Sequence, residues 1–431
     1  MASVTANKEL WDVAVIGGGA AGMMAAGRAA ACGARVILIE KNPTLGKKLL
    51  ITGGGRCNVT NAEFDTRVLL GKYNRGAKNT DQFLFSPFSK FGVPETLAFF
   101  HGRSMPTKTE ALKRVFPESN SAQSVWDVLS AYMREGGVTI RTSSPVKKIQ
   151  AGEGAIAYVE LTNGQKIYAK RYVLATGGKS RPETGSSGDG FTWMRALGHT
   201  VREPSAALVP LSLKDTWVKG ISGVSLENAK LTLTQHGKKF ASSSGKMLFT
   251  HVGISGPAVL NISKDVGEML RYDAVTLTLD LVPDTTQDAL ARTLHETLRT
   301  ESNKMVKNVL ASFIPSGLVP VVLTFADTDP ETQAHSITRE ARLQILKYMK
   351  ALPLQVKGLL GVEKAIVTSG GVALTEIDFQ TMRSRLFSNL HLVGDMLDID
   401  RPSGGYSLQL CWTTGYVAGE RAAVMLREQE V

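Results

Sequence analysis

DVAVIGGGAAGMMAAGRAAACGARVILIE, residues Asp12 to Glu40, reads as strand, tight turn, helix and strand. Val13 to Ile16 form a short apolar run of the kind a sheet covered on both faces demands. Gly17-x-Gly19-x-x-Gly22 follows at once and opens an alanine-rich helix with Ala20 and Ala21 in its first turn. The first glycine makes the turn, the second lets backbone approach a pyrophosphate, and the third lets helix and strand touch. The helix start then offers free N–H groups and a partial positive charge to phosphate. Gly33 closes the helix, Arg35 to Ile39 forms the second strand, and Glu40 stands where a carboxylate accepts from both hydroxyls of an adenosine ribose. A GxGxxG alone is weak evidence. With a strand before it, a helix after it and an acid at the second strand's end, it predicts a dinucleotide site.

Composition sets the outer bounds. A chain of 431 residues predicts two or three domains, and 43% hydrophobic with 21% charged residues is ordinary for a soluble protein. The three cysteines, Cys32, Cys57 and Cys411, have no paired spacing, so neither a disulfide framework nor a metal site is expected. A short polar lead, no secretory signal and no bilayer-length apolar run predict a cytoplasmic protein without a membrane span. Fifty basic against thirty-nine acidic residues leave a formal charge of +11. That field favours a polyanionic partner or serves solubility and the dinucleotide's own phosphates.

Further glycine clusters follow. Lys47-Lys48 leads into Thr52-Gly53-Gly54-Gly55-Arg56-Cys57-Asn58, where consecutive glycines suit backbone passing against a flat or charged ligand. Helices are expected over 94–101 and 121–135, the latter capped by Ser121 and stopped by Gly136. A strand covers 138–141, and 147–174 alternates as an antiparallel excursion that returns into Ala175-Thr176-Gly177-Gly178. Asp189 is expected to cap a helix running to Leu197. Between 204 and 282 short alternating segments predict a separate β-rich domain; helical spacing takes over from 284 to 350. The last helix there turns Arg339, Arg342, Lys347 and Lys350 towards one side, a solvated charged face or a nucleic-acid surface. The chain then returns to its opening style. An apolar strand ends in Gly394-Asp395, and Ser403-Gly404-Gly405-Tyr406-Ser407-Leu408 leads into a final helix. Several ligand-facing loops and no second GxGxxG after a strand point to one extended dinucleotide, FAD rather than NAD.

The ordered motifs GxGxxG with Glu40, TGGGRCNVTN (52–61), RVFPESNSAQSV (114–125), ATGG (175–178), MLFTHVGISGPAVL (247–260), VTSGGV (367–372) and GDMLDIDRPSGGYSLQ (394–409) resemble the BaiN/RdsA family of FAD-dependent flavoproteins across nearly the whole chain. The resemblance implies an α/β fold: a Rossmann-like FAD-binding domain in two segments, 1–203 and 365–431, interrupted by a β-barrel domain. The barrel domain takes 204–283 and a return strand over 351–364, and carries a helical insert over 284–350. It implies tightly bound FAD, with Gly17, Gly19, Gly22 and Gly55 to Asn58 near the diphosphate and flavin. Glu40 and Lys41 serve the adenosine end, Val146 and Ala175 to Gly177 the adenine, Asp395 the ribityl–diphosphate region and Gly405 to Leu408 the flavin's pyrimidine edge. Asp395 stands where relatives often carry Glu, Ser407 where Asn is frequent, and Glu110 to Lys113 lacks the usual paired glycines.

The family's activities imply reduction of an activated C=C bond. NAD(P)H is the expected transient donor, and the expected substrate is a uridine of large-subunit ribosomal RNA, giving dihydrouridine. Two alternatives stand beside it: a small-molecule ene-reductase acting on bile-acid-like enones, and a non-catalytic RNA-binding flavoprotein. Such a reduction needs an acid beside the hydride acceptor. Cys57 and His251 are the candidates, each with a plainer alternative: a small residue packed beneath the cofactor, and a hydrogen-bonded turn histidine. Oligomeric state has no signature in the sequence.

Overall fold

Strand β1 (Leu10–Ile16) is the centre of a parallel sheet in the computed structural model, which describes residues 9–73, 79–235, 238–360 and 367–427. Val13, Ala14 and Val15 are wholly buried, as a strand covered on both faces requires. β1 pairs in parallel with β2 (Val36–Ile39) on one side and with the strand Lys166–Leu174 on the other. Thr139–Arg141 extends the sheet beyond β2, and Leu390–Leu392 extends it beyond Lys166–Leu174. The fifth parallel strand therefore comes from the far end of the chain. The strand Lys166–Leu174 also carries an antiparallel hairpin, Val146–Ala151 with Ile156–Leu161, on its first residues (Ile167 opposite Val159).

Helix α1 (Ala20–Ala31) crosses this sheet with its backbone almost touching what lies on either side. A Cβ at Gly22 would stand 1.8 Å from the Gly17 carbonyl oxygen. On the opposite face the C-terminal helix Tyr406–Arg427 approaches through its own glycines: a Cβ at Gly415 would lie 2.5 Å from Ala21 O, and one at Gly419 2.3 Å from Ala25 O. Arg28 pairs with Glu420 and lies 4.3 Å above the Tyr416 ring, which ties the outer edge of the same contact.

The chain divides into two units, Met1–Ala206 with Ile366–Val431, and Ala207–Ala365; the expected junction at 364/365 lies outside the described residues. In the second unit six antiparallel strands close a barrel: Leu211–Leu213, Gly253–Ser255, Lys238–Thr250, Ser225–Gln235, Thr276–Asp280 and Leu352–Leu359. Leu231 and Leu233 point inward at the two-residue period and face Leu279 and Leu277 across the ladder. Between the last two strands in sequence lie the helices Gln287–Thr300, Val306–Leu310, Val319–Phe325 and Arg339–Lys350. Thr286 and Thr338 cap the first and last of these through their hydroxyls.

Three details depart from the sequence reading. The motif 247–260 ends in a helix, Pro257–Met269, started by proline at its first position and burying Val259, Ile262 and Val266. Asp189 does not cap its helix; its carboxylate accepts from Lys41 Nζ at 2.9 Å and Ser187 Oγ at 2.7 Å. The basic side of Arg339–Lys350 is broken because Lys350 turns inward to Asp280, at 2.7 Å, and to the carbonyls of Val282 and Thr285. Among the described residues no helix is long and apolar enough to cross a membrane.

Gly419→Val should destabilise the protein by about 1–3 kcal/mol, because the atom it meets is backbone and cannot rotate away. Gly71→Ala, a helical position where a Cβ meets nothing within 4 Å, should be neutral or better. Urea unfolding midpoints of the two variants test the contrast; equal midpoints would refute the close crossing.

Candidate functional site

The carboxyl ends of β1, β2 and the strand Lys166–Leu174 open into one cleft, the position at which open parallel sheets bind ligands. It holds about 1230 Å³ of space, solvent mouth included. Gly17, Gly19, Ala20 and Ala21 form its floor. Gly17 has φ +104°, and a Cβ there would strike Ala175 O at 2.5 Å; at Gly19 a Cβ meets nothing within 4 Å. The first glycine is thus needed for the turn against the neighbouring strand, and the second leaves a bare gap over the start of α1. No side chain caps α1, and its first turn carries no acidic residue. Its N–H groups and dipole therefore face the cleft, as an anion site requires.

Glu40 and Lys41 line the cleft beside β2. The Glu40 carboxylate accepts from Gly18 N–H at 2.7 Å and from the backbone and side-chain N–H groups of Asn42 at 2.8 and 2.7 Å. It is only 8% exposed, so its orientation is set before any ribose arrives. Lys41 is held by Asp189 and Ser187. Partial burial opposes the charge of Asp189, but Lys41 and Ser187 keep its carboxyl below the ordinary range. Val146, Ala175, Thr176 and Gly177 complete this end of the cleft. Gly178 is buried behind it.

At the other end Lys48, Thr52, Asp395, Ser407 and Leu408 line the wall. Asp395 is bracketed by two cations, Arg401 and Lys48, the latter at 3.4 Å. Burial opposes its charge, yet Arg401 and Lys48 outweigh that and hold the carboxyl below the usual range. Lys48 also donates to Ser180 Oγ at 2.7 Å. A carboxylate here is compatible with a diphosphate ligand because the neighbouring cations compensate it.

The glycine loop runs on from the lining residue Thr52. Gly53, Gly54 and Gly55 are exposed with φ of +57°, +70° and +84°, a left-handed run that side chains resist. Arg56 stacks 4.1 Å from the Phe116 ring and is held by Glu110 and Asn120. Cys57 is fully buried, and burial pushes its thiol up to about 12. Asn58, with its amide oriented by its neighbours, donates to Val115 O and Thr60 O and accepts from Gly405 N–H. It braces the start of the C-terminal helix. Gly404 accepts through its carbonyl from Asn61, and a Cβ at Gly405 would overlap Thr60 O at 2.3 Å. Gly22, Gly404 and Gly405 make close backbone contacts around the lining, and Gly394 and Tyr406 are buried beside it. In the second unit, His251 is exposed on the turn between Lys238–Thr250 and Gly253–Ser255.

Several lining residues escaped the sequence reading. Cys411 stands one helical turn beyond Ser407, a spacing that the Gly404-Gly405 helix start already provided. Burial, with Asp395 adding to it, raises its thiol to about 12. Asn42 and the segment from Ser186 to Asp189 are brought together only by the fold. Arg401 lies directly behind the wall and is 4% exposed.

A glycine-floored gap over an uncapped helix start, a pre-set acid beside it and a charge-compensated far wall fit FAD. The HI0933-like protein Rossmann domain model matches residues 11–421. The 3-dehydro-bile acid delta(4,6)-reductase of Clostridium scindens is 31% identical over 95% of this chain and 98% of its own length. The ribosomal RNA dihydrouridine synthase of Escherichia coli is 28% identical over 96% of this chain and 98% of its own. In fold, the 3-ketosteroid-delta4-(5alpha)-dehydrogenase of Rhodococcus jostii superposes with a TM-score of 0.52 at 14% identity, covering 98% of this chain and 99% of that one. The chain belongs to the HI0933-like family and is, with its relatives, an FAD-dependent oxidoreductase.

Proposed function

We propose that the chain reduces an activated C=C bond with electrons from NAD(P)H, and that its substrate is a uridine of large-subunit ribosomal RNA, converted to dihydrouridine. The observation that carries the reading is the end-to-end match to relatives named for such reductions, on a chain whose cleft has the donors and acceptors for FAD. The formal charge of +11 supports the RNA substrate. The enone reading is favoured by the 31% identity to the bile-acid reductase, slightly above the 28% of the RNA-modifying relatives.

Bound FAD supplies hydride chemistry at the cleft. The chain's own residues orient it: the start of α1 and Gly19 receive the diphosphate, Glu40 the adenosine ribose, and Asp395 the ribityl side. Reduction places a hydride on one carbon and a proton on its neighbour, so the product gains two hydrogens. The proton requires an acid that solvent can recharge. Cys57 is sealed from water with its thiol at about 12, a poor general acid near neutrality. His251 is exposed, so of the two candidates it is the one that solvent can recharge.

Ribosomal RNA from a deletion strain should lack a two-hydrogen increment on one uridine by mass spectrometry, and the purified protein should restore it. An unchanged uridine pattern with turnover of a conjugated enone would move the assignment to the small-molecule reading. RNA binding should weaken steeply as salt rises, since each phosphate contact releases counterions; salt-insensitive binding would contradict an RNA substrate.

His251→Ala should lower product formation by roughly 10²–10⁴-fold with FAD still bound, while Cys57→Ala should retain most turnover. Full turnover in His251→Ala would remove it as the acid.

A further inference from the structure

Two of the positions at which this chain departs from its family resemblance, Asp395 and Ser407, are joined by one side chain. Arg401 donates through Nη2 to Asp395 Oδ1 and through Nε to Ser407 Oγ at 3.1 Å, and its Nη1 donates to Ile399 O at 2.6 Å. Its side chain is wholly buried. All three guanidinium nitrogens are engaged, so the group has one orientation. A guanidinium has no acceptor. Ser407 Oγ must therefore be the acceptor of the 3.1 Å bond, and its single O–H is left to donate. Ser407 lines the cleft at the start of the C-terminal helix, whose dipole has the same sign as a hydroxyl proton.

We propose that Arg401 is a positioning residue that fixes Ser407 as a hydrogen-bond donor into the flavin end of the cleft and thereby raises the reduction potential of bound FAD. The inference rests on the reading of the cleft as the FAD site and adds the sign of the polarity at that wall. A donor there is worth more to the reduced flavin ring, whose pyrimidine edge is richer in electrons, than to the oxidised one. Without the arginine a serine in a first helical turn turns back to backbone partners. Asp395 would also lose one of its two compensating cations, and an under-compensated carboxylate disfavours added electron density. Both consequences act in the same direction.

The test measures the midpoint potential of the FAD-loaded protein by dye equilibration, with no C=C acceptor present. Ser407→Ala should shift the potential to a more negative value, and Ser407→Thr, which keeps the hydroxyl, should hold it at that of the parent. Arg401→Met should shift it the same way, with Arg401→Lys between. Should Arg401→Met fail to fold, the Ser407 pair decides. A parental potential in Ser407→Ala, or an equal drop in Ser407→Thr, would overturn the proposal, the second by assigning the effect to packing. Protein that takes up no FAD would instead overturn the cofactor reading, an outcome separate from an unmoved potential.

Discussion

The near-contact of backbones between α1 and the C-terminal helix is the constraint from which the FAD-binding unit follows. Gly22 seats α1 against the turn after β1, while Gly415 and Gly419 seat the last helix on the carbonyls of Ala21 and Ala25. Only glycine permits either approach at these distances. The opening and closing segments of the chain are thus locked together although the second unit's residues intervene in sequence. One consequence is functional: Gly17 to Ala21 and Asp395, Ser407, Leu408 and Cys411, nearly 400 positions apart, become walls of the same cleft. Gly394 shares in this, since a Cβ there would come within 3.2 Å of the Ala21 side chain.

That geometry creates an electrostatic problem which the unit solves locally. A diphosphate site needs positive potential, yet Glu40 and Asp395 both face the cleft. Glu40 is satisfied by the Gly18 N–H and by Asn42, so its acceptor capacity is directed before ligand arrives. Asp395 is compensated by Lys48 and Arg401 from opposite sides. Lys41, by contrast, is already engaged with Asp189. The chain's net charge therefore says little about the field in the cleft; it is set by which pairs are buried together.

How much of this was legible in the sequence follows from range. The strand–turn–helix–strand opening, the capped helix after Ser121 and the alternating barrel strands rest on local period and local turn chemistry, and the structure has them. The cleft's principal floor residues were legible for the same reason, because each glycine's requirement is set by its immediate neighbours. What escaped depends on long-range pairing. Asp189 has the chemistry of a cap, but Lys41 stands 148 residues away in sequence and claims its carboxylate. Lys350 looks like a surface charge until Asp280 is brought beneath it. The helix Pro257–Met269 is a different failure: its apolar period and initial proline were present, and the loop-like glycines before it masked them.

The loop opposite the C-terminal helix shows how a departure from family pattern is carried physically. The resemblance expects paired glycines near residues 110–113. Here Leu112 and Lys113 occupy left-handed backbone at φ +60° and +59°, which costs non-glycine residues on the order of 1 kcal/mol or more each. Strain of that size persists only where neighbouring bonds over-determine the conformation. Asn61 supplies one such bond to the Leu112 carbonyl while also binding that of Gly404, and Lys113 is anchored to Glu63 at 2.6 Å. The same asparagine that braces the glycine pair before the last helix therefore holds the strained turn. One side chain thus links the strained turn to the glycine pair that leads into the helix carrying Ser407.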